Sequence, residues 1–520
     1  TPNGYSINTD FMLMADHKFG NFSLDGFVGG NIYFYQDNKH TSHTKNGLLV
    51  PGFYSLKSSV DPAATSSSVV KKQTNSLFAK MSVSWKSALF LDVTGRNDWS
   101  SSLPSDTRSY FYPSVAGSVV LSEFIPMPSC IDFWKVRGSW TMSKDDTSVY
   151  ATNNTYSIST NIWDDVTTAY YPTTIRNKSV KPSTSKSYEL GTMVTFFGKR
   201  LILDAAYYNK YYYNRIVNTT ISAASGFDKT QVNSKEEYVR RGVEIQVSGD
   251  IIKNRDLNWN STFNWALDRK YYAKLDADFS SKKPWVKEGG RTDYVTYADY
   301  EYDKDGNMIH EAGYPLVSDY STLHGYSNPD WIWGWVNTVT YKNFTLSFTV
   351  DGRVGGIAYS NTNQALWNTG AHIESDNQWR YDEVVNGLKN YIGKGVKVVS
   401  GTVKYDSDGN ITFDDRVFAP NDVQVSYEQY IREYHCNAYT ARPQNYFKKT
   451  FIKLRDLSLT YQMPRTLCEK VRLKGASIGL VGQNLLIWTK EFKYADPDVG
   501  SDNLNAPSTR LLGFNIKLDL

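Results

Sequence analysis

Apolar and polar residues alternate along many segments of this chain. In residues 76–85, Leu77, Ala79, Met81, Val83 and Trp85 are apolar, and the residues between them are mostly polar. The same pattern recurs in residues 89–96, 201–210, 344–351 and 512–520. Successive side chains of a β-strand point to opposite faces, so a period of two gives one apolar face and one polar face. The pattern predicts half-buried strands.

Applied to the whole chain, this criterion predicts an all-β protein of about fifteen strands. The predicted strands are 6–17, 22–36, 74–85, 88–97, 111–122, 132–143, 186–197, 200–213, 238–252, 257–270, 331–341, 344–354, 450–463, 476–488 and 509–520.

The connections between these strands alternate between very short and very long. Short connections lie near 18–21, 85–87, 197–200, 254–256 and 341–343. Long polar connections run about 37–73, 97–110, 144–184, 215–237, 272–329, 356–446 and 491–508. Outer-membrane barrels have short periplasmic turns and long extracellular loops, with one strand face toward lipid and the other toward the lumen. The segregation therefore predicts a transmembrane antiparallel β-barrel, because only helices and closed barrels satisfy the backbone inside lipid.

Strand parity predicts where the chain lies within such a barrel. If the 491–508 connection is external, the first strand descends toward the periplasm, and the short and long connections keep that order throughout. Bacterial single-chain barrels have an even number of strands, whereas the count here is odd. We therefore expect residues 1–520 to be the C-terminal part of a barrel, beginning inside an external loop.

Composition agrees with β structure and narrows the function classes. Aromatic residues reach 15% and include 38 Tyr, whereas apolar residues total only 40%. Aromatic side chains suit a pleated sheet surface. The net charge of +4 gives no reason to expect a nucleic-acid partner. The sequence contains no apolar run long enough for a membrane-spanning helix, and its three cysteines form neither a disulfide framework nor a metal motif.

Several motifs, in order, resemble the C-terminal barrel portion of the SusC/RagA-like TonB-dependent transporters of Bacteroidota. These are Arg96-Asn97-Asp98-Trp99-Ser100-Ser101 with Tyr110-Phe111-Tyr112-Pro113-Ser114, Lys181-Pro182 with Tyr188-Glu189-Leu190-Gly191, Arg241-Gly242-Val243-Glu244, Asn328-Pro329-Asp330, Phe451–Tyr461 with Met463-Pro464, Gly482-Gln483-Asn484-Leu485, Trp488-Thr489-Lys490 and Asp496-Pro497-Asp498. Each motif alone is weak, but their order and spacing across 96–498 are specific.

The resemblance implies a 22-stranded barrel blocked by an N-terminal plug domain, a size typical of plugged transporters. The resemblance further implies that the plug and the first strands precede the segment present in this chain. The resemblance also implies a location in the bacterial outer membrane, crossed many times and contacting its lipid. Its partners would be TonB–ExbB–ExbD, acting through the absent N-terminal part, and a SusD-like surface lipoprotein that covers the external mouth. The implied cargo is a glycan or a peptide too large for porins.

The long loops are rich in amphipathic rings, which can stack on a sugar or a peptide while their polar groups stay wet. Most of these rings are expected to pack within the loops or on the lid. The 356–446 loop is the longest and is predicted to touch both lid and cargo. The predicted ligand-binding residues are Trp367, Trp379, Arg380, Tyr381, Tyr430 and Tyr434, and the other loop rings are Trp163, Tyr170, Tyr171, Trp285 and Tyr320.

Two segments imitate calcium-binding loops, with oxygen ligands at alternate positions and a glycine for a sharp turn. The first is 303–307. The second is the better candidate and contains Asp406, Asp408, Asn410, Asp414 and Asp415. Asp-Gly and Gly-Asn are also ordinary turn sequences, so a simple turn remains the alternative for both. No other cofactor is expected.

Nothing in the sequence indicates an enzyme. The adjacent acids Asp145-Asp146, Asp164-Asp165 and Asp414-Asp415 would point to opposite faces of an extended chain, which is poor geometry for a glycosidase. The seven histidines show no HExxH spacing. We expect a TonB-dependent importer without covalent chemistry. The alternatives are a soluble, secreted β-rich protein that binds or degrades glycans, with its apolar strand faces buried inside, and a passive porin without a plug.

Overall fold

A computed structural model describes residues 2–163, 166–437, 439–498, 502 and 506–519. Its main feature is one antiparallel sheet of 15 strands in which every strand pairs with its neighbours in chain order. The strands are β1 Pro2–Phe19, β2 Phe22–Leu48, β3 Ser59–Trp85, β4 Leu89–Ser100, β5 Ser109–Val120, β6 Ile131–Asp145, β7 Ser183–Phe196, β8 Leu201–Tyr213, β9 Glu237–Lys253, β10 Leu257–Lys274, β11 Trp331–Tyr341, β12 Phe344–Val354, β13 Phe451–Gln462, β14 Gly475–Thr489 and β15 Leu511–Asp519.

This sheet confirms the all-β prediction and all fifteen predicted strands. Strands Trp331–Tyr341 and Phe344–Val354 have the predicted bounds, and most other strands differ by a few residues. The main difference lies in the predicted loop 37–73. There Phe22–Leu48 and Ser59–Trp85 continue as a long hairpin, which leaves only 49–58 as the connection.

One face of the sheet carries most of the large apolar side chains, and these are exposed. Leu13 is 78% exposed, Leu190 64%, Leu480 66% and Phe514 72%. Within the described residues, the buried apolar cluster consists of Tyr238, Tyr272 and Val286 with a few neighbours. The apolar face therefore points outward and away from any central core. The soluble alternative requires the opposite arrangement.

The other face carries polar side chains that bond to one another across strands. The Ser82 hydroxyl donates to Asp92 at 2.5 Å, and the Tyr112 hydroxyl donates to Asp98 at 2.7 Å. The Arg96 guanidinium donates to Ser76 and Asp98, both at 2.8 Å. Cross-strand pairs of this kind stabilise a sheet whose face is wet.

Tight turns close the sheet at one end. In the β3–β4 turn, Lys86 and Ser87 have φ values of 51° and 53°. Two successive residues with positive φ are typical of a type I′ turn, whose twist matches that of the flanking strands. Most connections at this end are short turns of this kind. The exceptions are 121–130 and 463–474, and the longest connections lie at the opposite end.

The long connections form small elements of their own. Their strands are Ser157–Trp163, Val166–Tyr170, Thr174–Ile175, Ile216–Thr220, Lys229–Asn233, Tyr294–Tyr300, Ile309–Glu311, Tyr314–Pro315, Val317–Tyr326, Ile357–Tyr359, Val396–Ser400, Val403–Tyr405, Ile411–Asp414, Val417–Pro420 and Tyr446–Lys448. The α-helices are α1 Asn361–Thr369, α2 Gln378–Asn386, α3 Tyr427–Ile431 and α4 Arg465–Lys470, of which α4 lies in the β13–β14 connection. Short 3₁₀-helices are Leu56–Ser58, Leu121–Glu123, Ala223–Ser225, Ile373–Ser375 and Arg442–Gln444, and Arg432–Cys436 is a π-helix.

Two of these connections fold together. Ile309–Glu311 pairs in parallel with Val396–Ser400, so the 275–330 and 355–450 connections share one small sheet. Among the described residues, no helix has both the length and the apolar character needed to cross a membrane.

The two faces of β12 give a matched test of this arrangement. Val350→Arg places a charge on the apolar face, and Thr349→Arg places the same charge on the polar face, directly opposite Asp456. In a bilayer, the first variant is expected to lose roughly 2–4 kcal/mol of the free energy of unfolding, because arginine is costly in the lipid-facing belt. The second is expected to change it little. Urea unfolding of the full-length protein in lipid vesicles measures both values, and equal losses would contradict the assignment of faces.

Candidate ligand-binding site

The polar face of the sheet contains a cavity of about 630 Å³. Charged side chains from four strands and from the last loop line it: Arg137, Asp204, Glu244, Asp351, Arg353 and Asp498. Arg137 is held by two hydrogen bonds to the Asp204 carboxylate, at 2.8 and 3.1 Å. Because both charge signs are present on fixed strands, the cavity can bind polar groups of either sign.

A β-bulge organises one side of this cavity. The β13 register shifts between Leu454 and Asp456, and Arg455 is the extra residue. A bulge redirects the side chain at its position. Arg455 consequently bonds to Asp351 on the neighbouring strand and, at 2.5 Å, to Asp498 in the last loop.

Lys453 completes this ion network. Its side chain is only 2% exposed and lies 3.3 Å from Asp496 and 3.2 Å from Asp498. A buried ammonium group is tolerated only when it is paired. Burial acts to raise the pKa of both carboxyl groups, but other contacts outweigh it. Hydrogen bonds from Ser508 and from the Asp498 N–H, with a smaller effect of Lys453, lower the pKa of Asp496, and Arg455 and Lys453 lower that of Asp498. The Asp496-Pro497-Asp498 motif is thus fixed against the inner wall.

A second group of residues lies in the 355–450 connection and centres on Trp367. Its ring stacks between two imidazoles, with centroid distances of 4.2 Å to His372 and 3.8 Å to His435. Trp367 is 6% exposed but borders two cavities, of about 250 and 420 Å³. Helix α1 positions it, since Ser360 caps the N-terminus and Asp502 accepts hydrogen bonds from Thr362.

Tyr430 and Tyr434 lie in the packed interior of the same connection. The Tyr430 hydroxyl is 3.2 Å from Nε2 of His310, and the Tyr300 hydroxyl donates to the Tyr434 carbonyl at 3.0 Å. His310 Nδ1 lies 3.2 Å from the Met308 carbonyl, so this nitrogen donates and Nε2 accepts from Tyr430. Burial raises the pKa of Tyr430 and lowers that of His310. Tyr430 is 4% exposed, so in this structure it packs the two connections together.

The remaining predicted ligand-binding residues lie on helix α2. Trp379 and Tyr381 are exposed, at 42% and 55%. Arg380 is also exposed and donates from Nη1 to the Gly370 carbonyl at 2.8 Å. Arg380 and Trp367 border the same 250 Å³ cavity, whereas Trp379 packs edge-to-face on Tyr391.

The other loop rings do not converge on one point. Trp285 packs against the Tyr238–Tyr272 cluster, and Tyr320 lies 5.3 Å from Tyr405. Tyr170 and Tyr171 are exposed. The side chain of Trp163 and the pair Asp164–Asp165 lie outside the described residues.

The two calcium-like segments form the same turn. Asp406 Oδ1 accepts from the backbone N–H groups of Asp408 and Asn410, and Oδ2 accepts from the Asn410 amide. Asp303 repeats this pattern with Asp305 and Asn307. The Asn410 amide, followed by these backbone groups, lowers the pKa of Asp406.

The other predicted metal ligands are also engaged. Both Asp414 oxygens accept from the buried Arg416, at 3.0 Å, and Asp415 accepts from the Thr402 N–H at 2.6 Å. Within the described part of the chain, no group of three His, Cys, Asp or Glu side chains is arranged to hold a metal ion. This geometry favours the turn interpretation, and calcium binding stays a prediction.

Sequence reasoning missed the charged cavity in the sheet. Asp204 and Asp351 were visible only as polar members of alternating segments, and Arg455 only as part of a motif. The polar positions of each strand were the available signal. Their partners come from other strands, so pairing could not be derived from one segment alone.

The sheet and its charged inner face define a β-barrel wall of the outer-membrane type. The chain belongs to the TonB-dependent receptor-like β-barrel family, whose family model matches residues 2–485. Two relatives from Formosa agariphila, TonB-dependent receptor P3 and TonB-dependent receptor P26, are 23% and 21% identical to it. The matches cover 83% and 85% of this chain, but only 42% and 44% of the relatives. The chain thus spans less than half the length of these relatives.

Solved structures show the same fold. One chain from the structure of the RagAB peptide transporter superposes with a TM-score of 0.73 at 17% identity. A chain of the RagAB peptide importer in the "closed-closed" state gives 0.74 at 18% identity. Both comparisons cover 99% of this chain and 56% of the other. At this level of sequence identity, the similarity shows a shared fold and does not indicate which cargo this chain binds.

Packing in the 355–450 connection is expected to weaken in acid because of His435. Burial lowers the pKa of His435 to about 3, with a smaller effect from His372. The unfolded segment binds a proton below about pH 6.5, whereas the folded one does not, so stability falls as pH decreases below that value. At pH 5 the loss is on the order of 2 kcal/mol.

Hydrogen exchange of the full-length protein, corrected for intrinsic pH effects, measures this loss in peptides from residues 427–437. Protection is expected to fall between pH 7.5 and pH 5, while peptides from Trp331–Tyr341 stay unchanged. The variant His435→Gln removes the titrating group and should flatten the response. The same pH response in that variant would contradict the assignment to His435.

Proposed function

We propose that this chain is the barrel wall of a TonB-dependent importer that carries a large nutrient, an oligosaccharide or an oligopeptide, across the bacterial outer membrane. The observation that supports this most directly is the 15-stranded sheet, with exposed apolar side chains on one face and ion-paired side chains on the other. Such a wall suits lipid outside and water or protein inside. Transport of this kind requires binding and release, and no covalent chemistry.

The energy source in this proposal is the TonB–ExbB–ExbD complex, acting through a plug domain in the N-terminal part of the protein. A plug would occupy the lumen in front of the charged cavity. Fixed charges such as Arg137 and Asp204 could then bond either to the plug or to cargo passing beside it. A passive porin would need no plug at all.

The residues that line the cavity indicate a polar cargo but do not distinguish a peptide from a glycan. Two guanidinium groups, Arg137 and Arg353, and four carboxylates, Asp204, Glu244, Asp351 and Asp498, offer both donors and acceptors. Peptides present both charges, and glycans present hydroxyl groups, so both classes fit. Neither class is favoured by the rings, since aromatic faces stack on sugars and on peptide side chains alike.

The surface lipoprotein lid would contact helix α2. Tyr381, Val384 and Val385 are spaced so that they share one side of the helix, and they are 55%, 76% and 59% exposed. Leu388, 47% exposed, follows just after the end of the helix. Contiguous exposed apolar patches often mark protein contacts. The patch belongs to the loop end of the chain, where a lid over the external mouth would rest.

Membrane fractionation tests the proposed location. The full-length protein from the native bacterium is expected in the outer-membrane fraction and should migrate differently on gels before and after heating. Deletion of its gene should slow growth on one defined oligosaccharide or oligopeptide and leave growth on monomers unchanged. Recovery of most of the protein as a soluble monomer without detergent would end the proposal.

Single substitutions test the α2 patch. Val384→Glu is expected to reduce co-purification of the surface lipoprotein by roughly tenfold or more, because a charge would be buried at an apolar contact. Lys389→Gln makes the same change in net charge three positions beyond α2 and serves as the control. If both variants retain the lipoprotein equally, the patch is not the contact.

A further inference from the structure

The outward face of the sheet is not apolar throughout, and one sector of it carries cations near its loop end. Toward the long loops, the outward apolar run on each of four strands is followed by a cation. These are Lys144 on β6, Lys186 on β7, Arg241 on β9 and Arg269 on β10. On the intervening strand β8, Asn209 lies directly opposite Arg241, whereas Lys186 and Lys144 lie one and two outward rows nearer the long loops.

Two of these cations lie directly opposite each other on neighbouring strands. Arg241 and Arg269 are directly paired across the β9–β10 ladder, on the same outward face. Like charges directly opposite each other destabilise a sheet. Arg269 has partial compensation from Asp330, at 3.5 Å. Arg241 is exposed and forms no ion pair with any described residue, so its guanidinium is accessible to an anion from outside the chain.

A cavity of about 550 Å³ lies at this position. Asn209, Tyr211, Val239, Arg241 and Tyr271 line it, and all of them are outward-facing positions of β8, β9 and β10. Tyr211 donates its hydroxyl proton to Glu237 at the loop side of the cavity. The cavity therefore combines an unpaired guanidinium, an amide and aromatic rings.

The surface below the cavity is apolar. One outward row lower, the paired positions are Leu190, Tyr207, Val243 and Leu267. Leu190 is 64% exposed and Tyr207 is 42% exposed. A ligand at this site would thus contact cations at one end and an apolar surface at the other. A phospholipid or a phosphorylated glycolipid has the matching arrangement, with an anionic head group and apolar acyl chains.

We infer that this sector binds the phosphate group of an outer-leaflet lipid, with Arg241 as the main contact, Lys186 and Arg269 beside it, and the acyl chains along the Leu190–Leu267 row. Planar guanidinium groups match phosphate oxygens in geometry, and each surface cation contributes appreciably to binding an anionic lipid. The inference rests on the proposed outer-membrane location. It adds a lipid site on the wall, away from the lumen and the loops.

The test compares variants of the full-length protein purified from the native outer membrane in mild detergent. Phosphorylated lipid retained per protein is measured by native mass spectrometry and phosphorus assay. Arg241→Gln is expected to retain about fivefold less than the unchanged protein, and Arg241→Lys close to the full amount. Lys71→Gln is the control, because Lys71 is an outward cation on β3, outside the sector.

Other outcomes decide the inference separately from the proposed function. Equal lipid retention in Arg241→Gln and Lys71→Gln, with both proteins in the outer membrane, would overturn the lipid site and leave the importer intact. Displacement of the lipid by millimolar inorganic phosphate would also overturn it, since the acyl chains would then contribute nothing. If Arg241→Gln fails to assemble, Lys186→Gln provides the same comparison, with a smaller loss expected.

Discussion

The requirement that backbone polar groups be paired inside a bilayer underlies the rest of this structure. Water is absent there, so each N–H and C=O needs a partner within the protein. Fifteen strands joined in chain order meet this requirement with one continuous ladder. The ladder also explains the small apolar core around Tyr238, because the side chains that would fill a core in water point outward instead.

Strand positions could be predicted from the sequence because lipid on one side and water on the other impose a strict period of two. Where both faces of a strand are exposed to water, the alternation of apolar and polar residues disappears. The extension of β2 and β3 beyond residue 37 illustrates this, since it includes the polar run Ser66-Ser67-Ser68 and shows no apolar stripe. Its strands exist because each pairs with the other, and pairing is not encoded in the pattern of either segment.

The loop residues show a similar limit. Trp367 and Tyr430 have the ring chemistry of ligand contacts, yet His435 and His310 cover them in this structure. These partners are 68 and 120 positions away in the sequence, in segments with no regular pattern. Trp379 and Tyr381 have the same chemistry and remain exposed. The residue types thus indicated which region contains the site. Which of these rings are buried by packing and which remain accessible to a ligand depends on tertiary contacts that the sequence pattern does not show.

The last loop joins the inner wall to the long connections. Asp498 pairs with Lys453 and Arg455 on the wall, and four positions later Asp502 accepts hydrogen bonds at the N-terminus of α1. Removing one partner of a buried ion pair costs several kcal/mol, so Lys453 strongly disfavours any movement of this loop away from the wall. The same loop caps the helix that carries Trp367. The inner wall and the loop cluster are therefore both attached to this one loop, the wall at Asp498 and the cluster at Asp502.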